Sequence, residues 1–452
     1  MTEPDDDNLS NEEFEDDDWE ASPPAEKSGS KVPVTEAQTS DAPKDEFQKF
    51  LRDPRLNAEL PQIPLERAKP SAYTEIMGIL ATAADEQDIY DGLRLFKRRK
   101  IKAIEALEND PLINRERILS ALSEVAECIL LAAYSVSAKV ISHKFGLPGY
   151  ITAYQQFAPA HLGIISMGKQ GAQEINYESD LDLIFIYSHI GETHGQSSMS
   201  NGEYFAKLAQ RLISLLSIPT GAGKCYDIDT ELRPSGNAGT LVVSYDHFLN
   251  HQMNTAANWE RLALLRARPC AGDEAFLNSL DKQIAQLNYH RSLAADFFSD
   301  MHMIRQRVID EKVKESADRL DIKIGPGGIM DIEFFLQGLL LKNTAIFPSL
   351  RQRNTFSLLR ALRAHRLIQE PDAKIIERAY VLYRSIESHI QLLKKRSESH
   401  LDRSDMALIA ERLHFSSEAQ LWNELKDLRK NVHQIRLGLY APDLRDLPLS
   451  DK

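Results

Sequence analysis

Apolar residues recur at helical spacing near both ends of the chain and alternate with polar residues in a shorter middle region. In residues 47–150 the helical spacing is clearest in PSAYTEIMGILATAADEQDIYDGLRLFKRRKIKAIEAL and in RILSALSEVAECILLAAYSVSAKVISHKFG. The second string ends at Gly146, and glycine commonly ends a helix. The pattern therefore predicts an N-terminal helical region over residues 47–150.

The middle region, residues 151–290, combines strand patterns with amphipathic helices. Gly202–Ser217 has helical spacing, and the stretch from Trp259 to Arg268 predicts a further helix that ends near Pro269. The polar segment Gly191–Ser200 is predicted to be a loop, placed where it could cover a ligand. Alternating apolar residues predict strands at Gly163–Met167, Asp182–Tyr187, Lys224–Leu232 and Thr240–Ser244.

Helical spacing returns in residues 291–450. It is found in Phe297–Val313 and in the strings SLLRALRAHRLI, AKIIERAYVLYRSIESHIQLL, MALIAERLHF and LWNELKDLRKNVHQIRLGLY. Between them, DIKIGPGGIMDIEF predicts a short strand, a glycine-rich turn and a helix. His389 and His400 have no partner at metal-ligand spacing and are interpreted as structural. The whole pattern predicts an α+β fold, mostly helical, with a mixed-sheet domain between two helical regions.

Charge is concentrated at one end of the chain. The sequence has 67 Asp and Glu residues against 54 Lys and Arg residues, a net charge of −13. Residues 1–50 hold 16 of the acids and 4 lysines, which leaves 51 acidic and 50 basic residues for the remainder. Residues 1–46 are therefore predicted to be a disordered acidic tail. The remainder lacks the broad basic face of a nucleic-acid-binding protein, so no nucleic-acid partner is expected.

Cysteine use and hydropathy indicate a soluble, cytoplasmic protein. Cys128, Cys225 and Cys270 have no short metal-ligand spacing and fit a reducing compartment. The N-terminus is acidic and lacks an apolar segment, so no signal peptide is expected. The longest apolar run, near Cys128–Tyr134, is shorter than a membrane span needs, so no membrane association is expected.

Three aspartates are the candidate metal ligands. Asp180 and Asp182 flank Leu181 in DLDLIFIY, and side chains two residues apart on a strand point to the same face. Two carboxylates would repel each other there unless a divalent cation lay between them. Asp229, in KCYDIDTELRP, supplies a third carboxylate on another predicted strand. Such a set beside a glycine turn would hold Mg²⁺ against a triphosphate, and the alternative is a group of charged strand ends at a sheet edge.

Four strings along the chain resemble successive motifs of the glutamine synthetase adenylyltransferase/deadenylylase family. They are GKQGAQEINYESDLDLIF, IDTELRPSGNAGTLV, NWERLALLRARPCAGD and DIKIGPGGIMDIEFFLQGL, and the resemblance covers about residues 90–400. The glycine turn, the Asp-x-Asp pair and the later aspartate are also similar to the DNA polymerase β superfamily of nucleotidyltransferases. That superfamily usually has Gly-Ser or Gly-Gly where this chain has Gly168-Lys169. The resemblance implies a nucleotidyltransferase fold, two Mg²⁺ ions on the three aspartates, ATP as substrate and glutamine synthetase as protein partner.

Five further residues are candidate contacts for ATP. Gly168 lets the backbone approach a phosphate because it has no Cβ. Lys169 adds a positive charge near the triphosphate or serves the fold, and Ser179 bonds locally or orients a carboxylate. Arg233 contacts phosphate or pairs with a carboxylate. Lys323 is predicted to lie on the short strand before the glycine-rich turn, from which it could reach the nucleotide, and the turn is expected to form a wall of the site.

The chain carries a single Gly-Lys/Asp-x-Asp unit. Long members of the family have two such halves, one that adds AMP to a tyrosine of glutamine synthetase and one that removes it by phosphorolysis. Transfer of AMP from ATP is the first hypothesis for this chain. The alternatives are removal of AMP, an enzyme of the same fold that acts on a different protein hydroxyl, or a catalytically silent module that only binds a partner. A PII-type signal protein is the second candidate partner.

Overall fold

The computed structural model describes residues 70–108, 110, 112–194 and 198–441. These residues belong to one compact unit, and the domain boundaries expected at residues 150 and 290 stay predictions. The acidic tail expected over residues 1–46 lies outside the described residues, as does the start of the N-terminal helical region.

The described residues are mostly helical and include three β-sheets, which confirms the α+β class. The helices are α1 (Pro70–Ala81), α2 (Glu86–Glu105), α3 (Arg115–Phe145), α4 (Gly168–Gly171), α5 (Asn201–Ser217), α6 (Tyr245–Asn254), α7 (Asn258–Leu264), α8 (Glu274–Tyr289), α9 (Phe297–Lys312), α10 (Ile329–Asn343), α11 (Thr355–Ala364), α12 (Glu370–Lys394), α13 (Met406–Arg412) and α14 (Glu418–Tyr440). The strands are β1 (Leu147–Ile151), β2 (Phe157–Pro159), β3 (Leu162–Ser166), β4 (Leu181–Tyr187), β5 (Glu192–His194), β6 (Ile228–Asp229), β7 (Val242–Ser244), β8 (Arg268–Gly272), β9 (Arg319–Asp321) and β10 (His400–Asp402).

Helices α1 to α3 form the N-terminal helical region. The first apolar string is divided between two helices, because the side chain of Asp85 accepts the N–H of Asp88 and caps the start of α2. Helix α3 ends at Gly146, whose φ of +79° suits glycine, as the sequence predicts. By length and composition α3 could cross a membrane, but 89% of its apolar window is buried within the protein. Core packing therefore accounts for its apolar surface.

The main sheet has the strand order β6-β4-β3-β8, with β7 also paired to β4. Strand β3 runs antiparallel to β4 and β8, whereas β6 and β7 lie parallel to β4. Alternate side chains of β3 and β4 enter two different cores. Ile164 and Phe185 pack with α3 and α5, while Ile165 and Ile184 pack with α6 and α8. Both faces of the sheet are therefore covered, and polar side chains reach the surface at its ends.

The strand predicted at Lys224–Leu232 is wrong in extent. Only β6 is paired in this stretch, and it lies parallel to the start of β4. The chain turns directly after β6 because the side chain of Asp229 accepts the N–H of Glu231 at 2.8 Å. Aspartate favours turns through this kind of local bond, which competes with strand pairing.

The helix predicted from Trp259 to Arg268 is wrong at its C-terminal end. Helix α7 ends at Leu264, and Arg268 begins β8, which pairs with β3. Two nitrogens of Arg268 donate to the carboxylate of Glu127 on α3, each at 2.9 Å. A short apolar run fits a helix end as well as a buried strand, and the partner strand decides between them.

A second, antiparallel sheet has the order β2-β1-β5. Because β5 lies within Gly191–Ser200, the prediction of a loop is wrong for Glu192–His194, while residues 195–197 lie outside the described residues. This segment follows the C-terminal end of β4, whereas Asp182 is the second residue of that strand. The position does not support the expected role as a lid beside Asp182.

Helices α9 to α14 form the C-terminal helical region around one buried core. The bounds of α9, Phe297–Lys312, agree with the predicted Phe297–Val313. Helix α10 packs against α12 and α14, and β9 pairs with β10 in the third sheet. Helix α12 also contacts α3, so this region packs on the N-terminal helices as well.

Candidate active site

Asp182 and Asp229 are register partners on the adjacent parallel strands β4 and β6. Paired residues of neighbouring strands present their side chains on the same face of a sheet. Burial raises the pKa of Asp182 to about 6, and the negative charges of Asp229 and Asp180 act in the same direction. Asp180 itself precedes β4 and is exposed. The structure therefore brings two of the three predicted aspartates side by side, with the third nearby.

The turn at Gly168 lies against the same carboxylate. The N–H of Met167 donates to the carbonyl of Asp182 at 2.8 Å, which continues the β3–β4 pairing up to the turn. Gly168 has a φ of +50°, and a Cβ built on it would overlap Oδ2 of Asp182. Glycine is therefore required here both for the left-handed backbone and for the space that the carboxylate occupies.

The residues fit Mg²⁺ by the chemistry of their donors. Carboxylate oxygens are the ligands that Mg²⁺ prefers, and a divalent cation would offset both the burial and the neighbouring negative charge that raise the pKa of Asp182. In the part of the chain that the structure describes, no group of three or more His, Cys, Asp or Glu side chains is assembled closely enough to hold a metal ion. The fit is thus that of an aspartate pair, with Asp180 as the neighbouring third carboxylate.

Lys169 contacts the C-terminal helical region. Its ammonium group forms an ion pair with Glu333 on α10 and lies 5.8 Å from the ring centroid of Tyr380 on α12. Glu333 also pairs with Arg266 at 3.0 Å. Burial lowers the pKa of Lys169 to about 8. Burial raises the pKa of Glu333, but Arg266 and Lys169 outweigh it and hold that pKa at about 2. Of the two roles predicted for Lys169, these contacts favour a structural role over a contact with the triphosphate.

A buried polar network fixes the stretch after Gly168 to the same helices. The carboxylate of Glu174 accepts the N–H and the hydroxyl of Thr355 at 2.7 and 2.8 Å, and the hydroxyl of Tyr380 at 3.0 Å. Glu387 on α12 accepts the side chain of Asn176 at 3.2 Å. This network was not predicted from the sequence. The one signal for it was that Glu174 and Asn176 lie within the string GKQGAQEINYESDLDLIF.

Ser179 and Arg233 serve local structure in the described contacts. The hydroxyl of Ser179 accepts the N–H of Asn176 at 2.8 Å, which is the local alternative of the sequence analysis. Arg233 is buried, and its guanidinium donates to the carbonyls of Thr240 at 3.1 Å and of Thr230 at 2.7 Å. Their contact with ATP stays a prediction.

Lys323 is exposed and lies between β9 and α10. Its positive charge lowers the pKa of Asp182 against the effect of burial, so its side chain is near the aspartate pair. The two histidines set aside by the sequence analysis lie elsewhere. His389 is buried on α12, where burial lowers its pKa to about 4. His400 lies 3.3 Å from Oδ2 of Asp321.

Comparison with known families gives two matches. Residues 47–283, more than half of the 452 residues, match the family model described as glutamate-ammonia ligase adenylyltransferase. Residues 302–439 match the family model described as GlnD PII-uridylyltransferase. The first match spans the main sheet, with Gly168 and the three aspartates, and the second spans most of the C-terminal helical region.

Proposed function

Since the chain belongs to the glutamate-ammonia ligase adenylyltransferase family, which is a family of enzymes, we propose that it transfers AMP from ATP to a tyrosine hydroxyl of glutamine synthetase (glutamate-ammonia ligase) in a Mg²⁺-dependent reaction. The observation that carries this proposal is the in-register pair of Asp182 and Asp229 beside the turn at Gly168. We place the reaction in the cytoplasm, because Cys128, Cys225 and Cys270 are buried thiols that fit a reducing compartment.

Asp182 and Asp229 have different roles in the proposed reaction because their positions differ. Asp182, buried under the Gly168 turn, would hold Mg²⁺ against the phosphates, with Asp180 as a further ligand. Oδ1 of Asp229 accepts the N–H of Glu231 at 2.8 Å, so we assign its Oδ2 to the ion and to the proton of the attacking hydroxyl. Bound Mg²⁺ neutralises phosphate charge and orients the reacting groups.

Transfer of AMP from ATP releases pyrophosphate, whereas removal of AMP uses phosphate as the nucleophile and releases ADP. The same carboxylates would serve both reactions, so the direction is decided by experiment. In the first experiment, the intact mass of glutamine synthetase is measured after incubation with the chain, Mg²⁺ and labelled ATP. In the second, AMP-modified synthetase is incubated with the chain, Mg²⁺ and phosphate, and its intact mass is measured in the same way. A gain of one AMP per subunit supports the proposed direction. Loss of AMP with release of ADP establishes removal by phosphorolysis instead.

The variants Asp182→Asn and Asp229→Asn test whether the aspartate pair carries the reaction. Each is expected to reduce transfer by about 100-fold or more while the chain stays folded. Asp227→Asn is the matched control, because Asp227 is an exposed carboxylate in the same segment that pairs with Lys224. A normal rate of transfer in Asp182→Asn would contradict the assignment of the aspartate pair as the active site. Stable binding of synthetase without transfer in either direction would favour a silent binding module.

The match of residues 302–439 to a PII-uridylyltransferase model supports a regulatory part of the proposal. We propose that the C-terminal helical region of this chain contacts a PII-type signal protein. The test is retention of the host's PII-type protein by the immobilised full chain, together with the rate of AMP transfer in its presence. If the PII-type protein is not retained and the rate does not change, this part of the proposal is contradicted. The transferase proposal is not affected by that result.

A further inference from the structure

The segment Lys323–Gly328, here called the glycine loop, is packed tightly against α14. A Cβ built on Gly327, which has a φ of +71°, would overlap the carbonyl oxygen of Arg429. The guanidinium of Arg429 in turn donates to the carbonyl of Pro326 at 3.1 Å. The glycine loop therefore has one backbone path, and its glycines are required by close approach and by a left-handed conformation.

A buried carboxylate holds the start of this loop. Asp321, which is 1% exposed, accepts the backbone N–H groups of Lys323 at 2.9 Å and Ile324 at 3.0 Å on its Oδ1. The same oxygen accepts the hydroxyl of Ser399 at 3.2 Å. A hydrogen bond from backbone to a charged carboxylate is among the stronger ones in proteins. Asp321 therefore fixes the direction in which the chain leaves β9.

A buried ion pair holds the other side of the loop. Arg305 and Asp331 are fully buried, with Nε and Oδ1 2.6 Å apart. Arg305 also donates to the carbonyls of Ile324 at 2.8 Å and Gly325 at 3.0 Å, and Asp331 accepts the N–H of Gly327 at 2.7 Å. Asp331 also pairs with His433 and Arg436 on α14, each at 3.3 Å. Burying two charges is costly, and this pair places three of its hydrogen bonds on the backbone of one loop, which indicates that the path of that loop matters.

These contacts converge on the exposed Lys323. Its carbonyl accepts the N–H of Met330 at 2.9 Å, which ties it to the start of α10. The next turn of α10 carries Glu333, which binds Lys169 beside the Gly168 turn and so brings the glycine loop next to Asp182. Burial raises the pKa of Glu387 on α12, but the positive charges of Arg384, Lys169 and Lys323 outweigh it. The glycine loop and the start of α10 thus hold Lys323 next to the candidate site.

We propose that Asp321, assisted by the Arg305–Asp331 pair, is a positioning residue that holds Lys323 beside Asp182, where its ammonium group binds the phosphates of the nucleotide. Lys323 supplies the positive charge, and Asp321 acts only through the backbone of Lys323. The proposal rests on the proposed nucleotidyl transfer, since it names the part of that site which the C-terminal helical region supplies.

A double-mutant cycle on the full chain tests the dependence. Lys323→Ala is expected to lower kcat/KM for AMP transfer by about 100-fold, as for loss of one charge-stabilising group. Asp321→Ala is expected to lower it by about tenfold, because a displaced group loses its alignment. The double variant is expected to equal Lys323→Ala alone. Losses that multiply in the double variant would show that Asp321 acts independently of Lys323 and would overturn the proposal.

Milder variants keep the test sound if Asp321→Ala does not fold. Asp321→Asn retains an oxygen acceptor for the two N–H groups and is expected to keep most of the activity. Ser399→Ala removes one hydrogen bond from Asp321, and its small loss is expected to vanish in the Lys323→Ala background. Asp402→Ala is the control on the neighbouring strand β10, because its carboxylate pairs with Lys394 at 2.8 Å. A loss in this control equal to that of Asp321→Ala would overturn the proposal.

Equilibrium binding of Mg-ATP to the same variants separates this inference from the proposed function. A wild-type chain that binds ATP but transfers no AMP in either direction contradicts the proposed function. The double-mutant cycle, measured as Kd for Mg-ATP, then tests the positioning role of Asp321 independently. A wild-type chain that moves AMP while the losses multiply contradicts only the positioning role. A wild-type chain that neither moves AMP nor binds ATP overturns both.

Discussion

The carboxylate of Asp182 lies directly against the α-carbon of Gly168, so that any Cβ at position 168 would overlap its Oδ2. Gly168 follows β3 as the first residue of α4, and Asp182 lies on β4, 14 positions later in the chain. The Gly168 turn and the candidate metal ligand therefore share one space. A change to either residue is expected to move the other.

Gly168→Ala is expected to abolish most of the activity at a modest cost in stability. The new Cβ displaces the Asp182 carboxylate and sits on a backbone with a φ of +50°, which costs about 1–3 kcal/mol for a residue other than glycine. Displacement of a ligand by about 1 Å lowers the rate by about 100-fold. Urea unfolding and the rate of AMP transfer measure the two effects.

Gly202→Ala is the matched control for this substitution. A Cβ on Gly202, in the first turn of α5, would meet its nearest neighbour, the Tyr187 hydroxyl, at an ordinary 3.6 Å. Because alanine is the better helix former, the unfolding free energy is expected to rise by up to about 1 kcal/mol without a change in rate. Full activity in Gly168→Ala, with the control behaving in this way, would contradict the role of the turn.

Mg²⁺ is expected to stabilise the wild-type chain through Asp182 and Asp229. A ligand that binds only the folded state at about 100 times its Kd raises the free energy of unfolding by about 2.7 kcal/mol. Urea unfolding is measured with MgCl₂ and with KCl at matched ionic strength. Asp182→Ala is expected to remove the difference between the salts, while Asp227→Asn keeps it. Equal stabilisation of all variants would place the bound ion elsewhere.

Arg233→Lys is expected to reduce stability more than nucleotide affinity. Lysine cannot donate to the carbonyls of Thr230 and Thr240 at the same time, as the guanidinium does, and unpaired buried groups cost about 1–3 kcal/mol. Urea unfolding should therefore report a loss, while KM for ATP stays close to wild type. A large rise in KM with unchanged stability would instead establish the phosphate contact that the sequence left open.

The stability of the chain is expected to fall as pH decreases from about 6.5 towards 4, in part because of His389. Burial lowers the pKa of His389 to about 4, so the unfolded chain takes up a proton in this window before the folded chain does. The contribution is at most about 3 kcal/mol, fully present above this window and lost as the pH falls through it. Urea unfolding across the window measures it.

His389→Gln is expected to flatten this part of the pH dependence, since glutamine does not titrate. His290→Gln, at an exposed imidazole that follows α8, is the control and should keep the wild-type slope. The same slope in the wild type and in His389→Gln would show that other groups cause the acid sensitivity.

Local patterns predicted the elements that hold the candidate site. Strand β4 and helix α5 each begin one residue before the predicted start and end where predicted. The reason is physical: a strand buried on both faces has a continuous apolar run, and Ser200 with Glu203 forms a capping box at the start of α5. The glycine turn and the aspartates could also be predicted from the sequence, because the residue preferences of turns and strands are local.

Pairing across the fold was not readable from local patterns. The run that forms β8 looked like the end of a helix, because its pairing with β3 is set by residues about 100 positions away. The Asp229 strand looked longer than β6, because the bond from its own carboxylate to Glu231 competes with the ladder.

The sequence by itself determined the α+β class, the apolar runs of β3 and β4, and the order of Gly168, Asp182 and Asp229 along the chain, since each depends on neighbouring residues. The tertiary structure alone decided that Lys169 pairs with Glu333, 164 positions away, and that Asp321 and the Arg305–Asp331 pair hold the glycine loop. A charged side chain takes the partner that packing brings within reach once both are removed from water, and that choice depends on distant elements that no local pattern encodes.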